Sequence, residues 1–228
     1  MPKPDAVRKT FVFAILIALV LAAIIATRGG IADVYAYSPR QHLEQWQKTD
    51  KIPSEEKLAT QLANIRSAIE WQPNRAEYRD IEALLLYYQA LHHYQAGSSS
   101  GYRESTLKAI AGYRNATQER PNWPYSWANL ALMKASVEQF DHEFEAALIK
   151  AIKLGPWENS VNISVAEAGL LGWAALAPAT QNAVIENIER GLKRNTPVLK
   201  KRLKTINKLG MACIYLKASN ERKRLCGF

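Results

Sequence analysis

Two cysteines, four histidines and eleven glycines are all that 228 residues contain of the types around which recognisable sites are most often built. No G-x-x-x-x-G-K-[ST] and no G-x-G-x-x-G occurs, so neither a P-loop nor a dinucleotide-binding turn is expected. No C-x-x-C pair exists, which removes zinc ribbons and thioredoxin-like redox chemistry. His92 and His93 are neighbours on a predicted helix, where adjacent side chains diverge by about 100° and cannot meet on one ion. His42 and His142 stand alone. No metal, no cofactor and no catalytic residue follows from this inventory, and an enzyme is not the reading it supports.

Acid is scarce at one end of the chain. From Arg190 to Phe228 there are twelve basic residues and a single acid, Glu221, a local charge of +11; the formal total of +9 leaves about −2 on the first 189 residues. Cys213 and Cys226 both fall in this basic stretch, 13 positions apart. Two readings stay open for them: a disulfide closing a short loop, which an exported domain permits, or two unpaired thiols on a helix face and in a tail.

One long apolar run is present. Phe11 to Thr27, FVFAILIALVLAAIIAT, holds 17 residues without a charge. At about 1.5 Å per residue such a helix nearly spans a hydrocarbon layer of ~30 Å. Lys3, Arg8 and Lys9 precede it against Asp5 alone, so the positive-inside bias keeps the short tail in the cytoplasm and exports the rest. A cleaved signal peptide competes, with Val34-x-Ala36 as its site, but the run exceeds the usual ~7–15 residues and Arg28 separates it from Ala36. The reading is a single-pass anchor in a bacterial inner membrane: residues 1–10 a cytoplasmic tail, 11–28 the transmembrane helix, 29–54 a linker, and the remainder periplasmic.

An internal repeat follows. Aligned on Pro73, Pro121 and Pro156, alanine recurs five residues before each proline (Ala68, Ala116, Ala151) and ten after (Ala83, Ala131, Ala166). Small residues at such positions let neighbouring helices approach, and proline ends one unit and opens the next. Leu58, Leu62, Ile65 and Ile69 keep helical spacing, as do Ile81, Leu84, Leu85 and Tyr88. These residues, together with Trp127-Ala128-Asn129-Leu130-Ala131, Ala109 and Tyr113, resemble the tetratricopeptide repeat, whose units are paired helices of about 34 residues. The resemblance covers residues 55–175; Gln61 and Phe144 stand where that family has a small residue, and Lys134 where it has an aromatic. A decayed fourth unit is expected, with helices over 179–194 and 197–217, Thr196 as cap and Pro197 in the first turn. The predicted fold class is all-α: an N-terminal transmembrane helix, a TPR-like array of antiparallel hairpins over 55–195, and a basic C-terminal helix and tail over 196–228.

Several groups have plain structural explanations. Glu55, Glu56, Asp141, Glu143 and Glu145 sit at predicted helix starts, where the dipole favours them. Ser98 to Ser100 lie in a flexible loop and lack the strand–turn–helix setting of a nucleophile elbow. Trp123, Tyr125 and Trp127, with Trp157 and Trp173, coincide with repeat boundaries, so packing is preferred to stacking on sugar rings. Lys200, Lys201, Arg202, Lys204 and Lys208 lie opposite an apolar stripe of Leu199, Leu203, Ile206, Leu209, Cys213 and Leu216. They form either a solvated face or a surface for anionic lipid or polymer.

The layout as a whole, with its basic N-tail, single anchor, YSPRQHLEQWQ start, RPNWPYSWANLAL core and basic tail, resembles the VpsP-type proteins of bacterial exopolysaccharide gene clusters. That resemblance implies an accessory scaffold in polysaccharide synthesis or export. Its partners would be the membrane and other envelope proteins of that system, with nucleic acid excluded by the exported location. The alternative is a periplasmic co-chaperone or assembly factor for another envelope complex.

Overall fold

The computed structural model describes residues 4–49 and 51–227, and these are helical throughout, with no strand among them. Ten α-helices follow in order: α1 (Pro4–Thr49), α2 (Glu55–Trp71), α3 (Ala76–Gln95), α4 (Ser99–Glu119), α5 (Pro124–Ser136), α6 (His142–Leu154), α7 (Asn159–Leu171), α8 (Pro178–Thr205), α9 (Leu209–Tyr215) and α10 (Asn220–Cys226). A short 3₁₀ turn, Trp173–Ala175, joins α7 to α8.

The first of these corrects the linker expected over 29–54. Residues 29–49 continue the apolar helix without a break, so α1 runs for 46 residues. Gly29, Gly30 and Pro39 read as breakers, and packing overrides them. Ala32, Ala36, Leu43 and Trp46 are buried, lie on one helical face, and pack with α2. Pro39 deprives the carbonyl of Tyr35 of its intrahelical donor, but Tyr35 is exposed, so water can take that place. The side chains of the apolar stretch are exposed from Phe11 to Ile25, and the helix is long and apolar enough to cross a membrane.

Consecutive helices pack side by side from α1 to α8, and α5 also packs on α7. The six alanines of the repeat, Ala68, Ala83, Ala116, Ala131, Ala151 and Ala166, are fully buried. Gly112 shows how close one approach is: a Cβ there would lie 3.0 Å from Cβ of Ala83, so α3 and α4 leave no room for a methyl group. Polar bonds fix the register elsewhere. Asn162 Nδ2 donates to Oδ1 of Asn187 at 2.7 Å and Asn187 Nδ2 to the Asn162 carbonyl at 2.9 Å, tying α7 to α8 inside the core. Ser126 Oγ reaches both carboxylate oxygens of Asp80, at 2.7 and 2.9 Å, tying α5 to α3. Lys134, 1% exposed, meets Asp141 and Glu143 at 2.8 and 2.6 Å. Lys134 is thus neutralised by the start of α6.

Pro73, Pro121 and Pro156 all stand in the connections between helices. At the second of these, Trp127 Nε1 donates to the Pro121 carbonyl at 2.8 Å and folds its ring back over the turn that opens α5.

The C-terminal helices differ from expectation at two asparagines. Asn195, with φ −155° and ψ 71°, breaks α8 into two limbs. Its side chain accepts the Val198 N–H at 3.3 Å, so Asn195 is the cap, while Thr196 Oγ1 bonds back to the Leu192 carbonyl at 2.7 Å. The second limb ends at Thr205 instead of 217. Asn207 takes the left-handed conformation at φ 55°, which asparagine tolerates better than most residues. The Lys208 N–H then bonds the Leu203 carbonyl at 2.9 Å and the Asn207 N–H that of Lys204 at 3.0 Å, a Schellman closure. The stripe from Leu199 to Leu216 is therefore shared between two helices. Cys213 and Cys226 are joined as a disulfide, with Cα atoms 5.9 Å apart, which fastens α10 to α9.

Two stability measurements test these contacts. Trp127→Ala removes a half-buried ring and a bond to the turn and should cost about 2 kcal/mol, near the lower end of large-to-small changes; thermal melts should fall by several degrees. Burial pushes the Asp80 carboxyl up to about 6 against the opposing Ser126 bonds. Below its ordinary value near 3.8 the group is protonated folded or unfolded. Between that value and about 6 only the folded chain holds the proton, so stability falls as pH rises. Asp80→Asn should thus raise the melting temperature at pH 8 and leave it little changed at pH 4; the opposite order would contradict the assignment.

Candidate functional site

An open cleft of about 520 Å³ lies on the face formed by α3, α5 and α7. Leu84, Tyr87, Tyr88 and Leu91 of α3, Leu132 of α5 and Ile163 of α7 form its floor. These residues recur about one turn apart along α3, the spacing that puts them on one helical face. Gln47 near the end of α1, with Lys51 and Ile52 beyond it, closes one side; Val198, Lys201, Arg202 and Thr205 of the second limb of α8 close the other.

The polar part of the cleft includes an ion pair between a buried glutamate and a partly exposed arginine. Arg202 Nε hydrogen-bonds the Glu167 carboxylate, which is 7% exposed. Burial pushes the Glu167 carboxyl above its ordinary value, and the charge and hydrogen bond of Arg202 oppose that rise. Burial likewise raises Tyr87, with Arg202 opposing. The guanidinium is thus what allows an ionised glutamate to remain in an otherwise apolar wall. Lys51, Lys201, Arg202 and Glu167 are the charged residues among the described lining. Such a lining, apolar with a few polar groups, is of the kind that holds an apolar ligand or segment.

The five basic residues expected to act together are dispersed. Lys201 and Arg202 line the cleft, whereas Lys200 Nζ donates to the Arg224 carbonyl at 2.9 Å, at the end of α10. Lys204 and Lys208 do not reach the cleft lining. The split arises because a helix turns successive residues by about 100°, and Asn207 ends the helix before Lys208. Among the aromatics, Trp173 is buried and stacks near Tyr215 at 4.6 Å between ring centres. Trp123 and Tyr125 lie 5.0 Å apart, and the Tyr125 hydroxyl donates to Glu158 at 2.5 Å, which holds it up to about 12.

The remaining polar candidates have structural partners. Glu143 receives Arg114 at 2.6 and 2.8 Å and Lys134, and Arg114 chiefly holds it down to about 2. Asp141 caps α6 by accepting the Phe144 N–H at 3.0 Å. Glu145 accepts the Thr180 hydroxyl. Gly97-Ser98-Ser99-Ser100-Gly101 spells G-x-S-x-G, yet Ser99 opens α4 between two helices and Ser98 caps that helix through the Gly101 N–H at 3.3 Å. His92 meets the Pro53 carbonyl. Among the described residues, no group of three or more His, Cys, Asp or Glu side chains is placed to hold a metal. The cleft itself escaped sequence reading because its lining comes from α1, α3, α5, α7 and α8, far apart in the chain.

No protein-family model matches the chain, and no curated protein matches it.

The ion pair makes a pH-dependent prediction. Arg202→Met leaves Glu167 buried beside no cation, a change that costs about 3 kcal/mol when a buried pair is broken. Its carboxyl then rises further, so the loss should be larger at pH 8 than at pH 5. Adding Glu167→Gln should recover most of the stability; melts of the single and double variants at both pH values check this.

Proposed function

We propose that this chain is a non-catalytic, membrane-anchored scaffold of bacterial polysaccharide synthesis or export, binding an envelope protein of that system in the cleft over α3, α5 and α7. The cleft is the observation that carries the reading. It is open, has apolar residues of α3, α5 and α7 in its lining, and is built on alternate helices, as the inner surface of a tetratricopeptide-like array of hairpins would be. The paired helices, buried repeat alanines and connections at Pro73, Pro121 and Pro156 support that arrangement. The layout resemblance to VpsP-type proteins supplies the polysaccharide context.

The same reading places the N-terminus in the cytoplasm, α1 across the inner membrane and the body in the periplasm. A retained anchor is supported by the burial of Ala32 and Ala36 and by Asp33, which bonds Arg40 at 2.9 Å and Tyr78 at 2.9 Å. Cleavage after Ala36 would remove residues on which the core is packed. The disulfide is compatible with an oxidising compartment.

A photo-crosslinking residue at Leu91 or Thr205, in the full chain in its native membrane, should capture one or a few envelope proteins of a polysaccharide system. The same yield should fall when Leu84 and Ile163 of the cleft lining are changed to glutamate. Capture dominated by unfolded exported chains would replace the scaffold with a co-chaperone, and capture of lipid alone would remove the protein-binding role.

A further inference from the structure

We propose that the row of inter-helix turns bearing Trp71, Trp123 and Trp157 rests on the anionic phospholipid headgroups of the bilayer that holds α1. This rests on the anchor reading and goes beyond it, since an anchor alone does not say which face of the body meets the membrane.

The row begins where the apolar stretch ends. Arg28, the first charge after Phe11–Thr27, donates from Nη2 to the Trp71 carbonyl at 3.0 Å, and its guanidinium lies 6.0 Å from the centre of the Trp71 ring. The α2–α3 turn therefore stands level with the end of the hydrocarbon-spanning segment. No hinge intervenes, because α1 is already packed into the core at Ala32, about 6 Å further along its axis. The body thus has one orientation relative to the bilayer.

Contacts carry the row outward from that point. Asp33 meets Arg75 at 3.4 Å at the start of α3. Asp80, five residues later, holds Ser126 at the start of α5. Tyr125 bonds Glu158 before α7, and Arg194 Nε donates to the Trp157 carbonyl at 3.0 Å. The starts of α3, α5 and α7 and the end of the first limb of α8 are thereby aligned along one edge.

The chemistry of the edge suits headgroups. Trp71, Trp123 and Trp157 are 37%, 39% and 50% exposed and Trp127, folded over the same turn as Trp123, is half-buried, whereas Trp46 and Trp173, away from this edge, are buried. Tryptophan is favoured at the membrane–water boundary, where an apolar ring and an N–H donor are both satisfied. The Arg120 guanidinium lies 4.0 Å from the centre of the Trp123 ring, and Arg28 and Arg194 accompany the other two tryptophans. Glu70, Glu119 and Glu158 are the exposed acids beside the same turns, of which Glu158 already accepts the Tyr125 hydroxyl. Arginines close to an anionic membrane surface are attracted to it.

The first tryptophan in the chain is Trp46, so the membrane segment contributes no tryptophan signal. The full chain is reconstituted in phosphatidylglycerol–phosphatidylcholine vesicles whose acyl chains carry bromine near the headgroup, and tryptophan quenching is compared with unbrominated vesicles. Quenching is expected in the native chain, and it should fall by roughly twofold or more in the Trp71→Phe/Trp123→Phe/Trp157→Phe variant, because boundary tryptophans are the ones within reach of shallow bromines. It should also weaken in vesicles of phosphatidylcholine alone. Retention of the chain after an alkaline wash of the vesicles, with no quenching or with quenching unchanged in the triple variant, would overturn the proposal and leave the anchor intact. Loss of the chain on washing would overturn both.

Discussion

Everything in this molecule hangs from the face of α1 that carries Ala32, Ala36, Leu43 and Trp46. The helix emerges from its apolar stretch and, within about one turn, is a packed member of the core. Two small residues allow α2 to lie close, and Trp46 fills the space further up, edge-on to Tyr88 of α3 at 5.5 Å between ring centres. Against that template each later helix finds its neighbour. Breaking a helix at Gly29-Gly30 would gain backbone entropy at about 1 kcal/mol per glycine; burying four apolar side chains outweighs it.

Much of the architecture was legible because it depends on local pattern. Apolar residues at helical spacing and alanines at fixed distances from Pro73, Pro121 and Pro156 are properties of neighbouring positions, and all six alanines are buried. The linker expected over 29–54 is helix as far as Thr49 for the converse reason: the packing that holds this stretch in a helix comes from α2, which no local pattern announces. Asn195 and Asn207 carried readable signals, since asparagine suits both caps and left-handed positions, but the neighbouring Thr196-Pro197 offered an equally good helix start.

The charged residues divide along the same line. Lys134 looked like a departure from the repeat, and its burial between Asp141 and Glu143 shows a core position occupied by a cation whose partners arrive seven and nine residues later. Arg202 was counted with a basic surface, although its guanidinium belongs to Glu167, 35 positions away. A list of lysines and arginines cannot separate those that face solvent from those that answer a buried acid; only the fold makes that distinction. The cleft, assembled from five separated helices, was beyond any pattern along the chain.

The break at Asn195 gives α8 two tasks. Its first limb is the last layer of the stack, held to α7 by the Asn162–Asn187 bonds; its second limb is a wall of the cleft. The two limbs meet at one residue outside helical geometry, and the second is fixed where it stands by Leu199 and Leu203, both buried in the core, and by the Arg202–Glu167 bond. The disulfide-fastened α9–α10 unit braces that wall from behind, through Lys200 and the Arg224 carbonyl. That side of the cleft is therefore held by a few contacts contributed by residues far in sequence from the apolar stretch of α1.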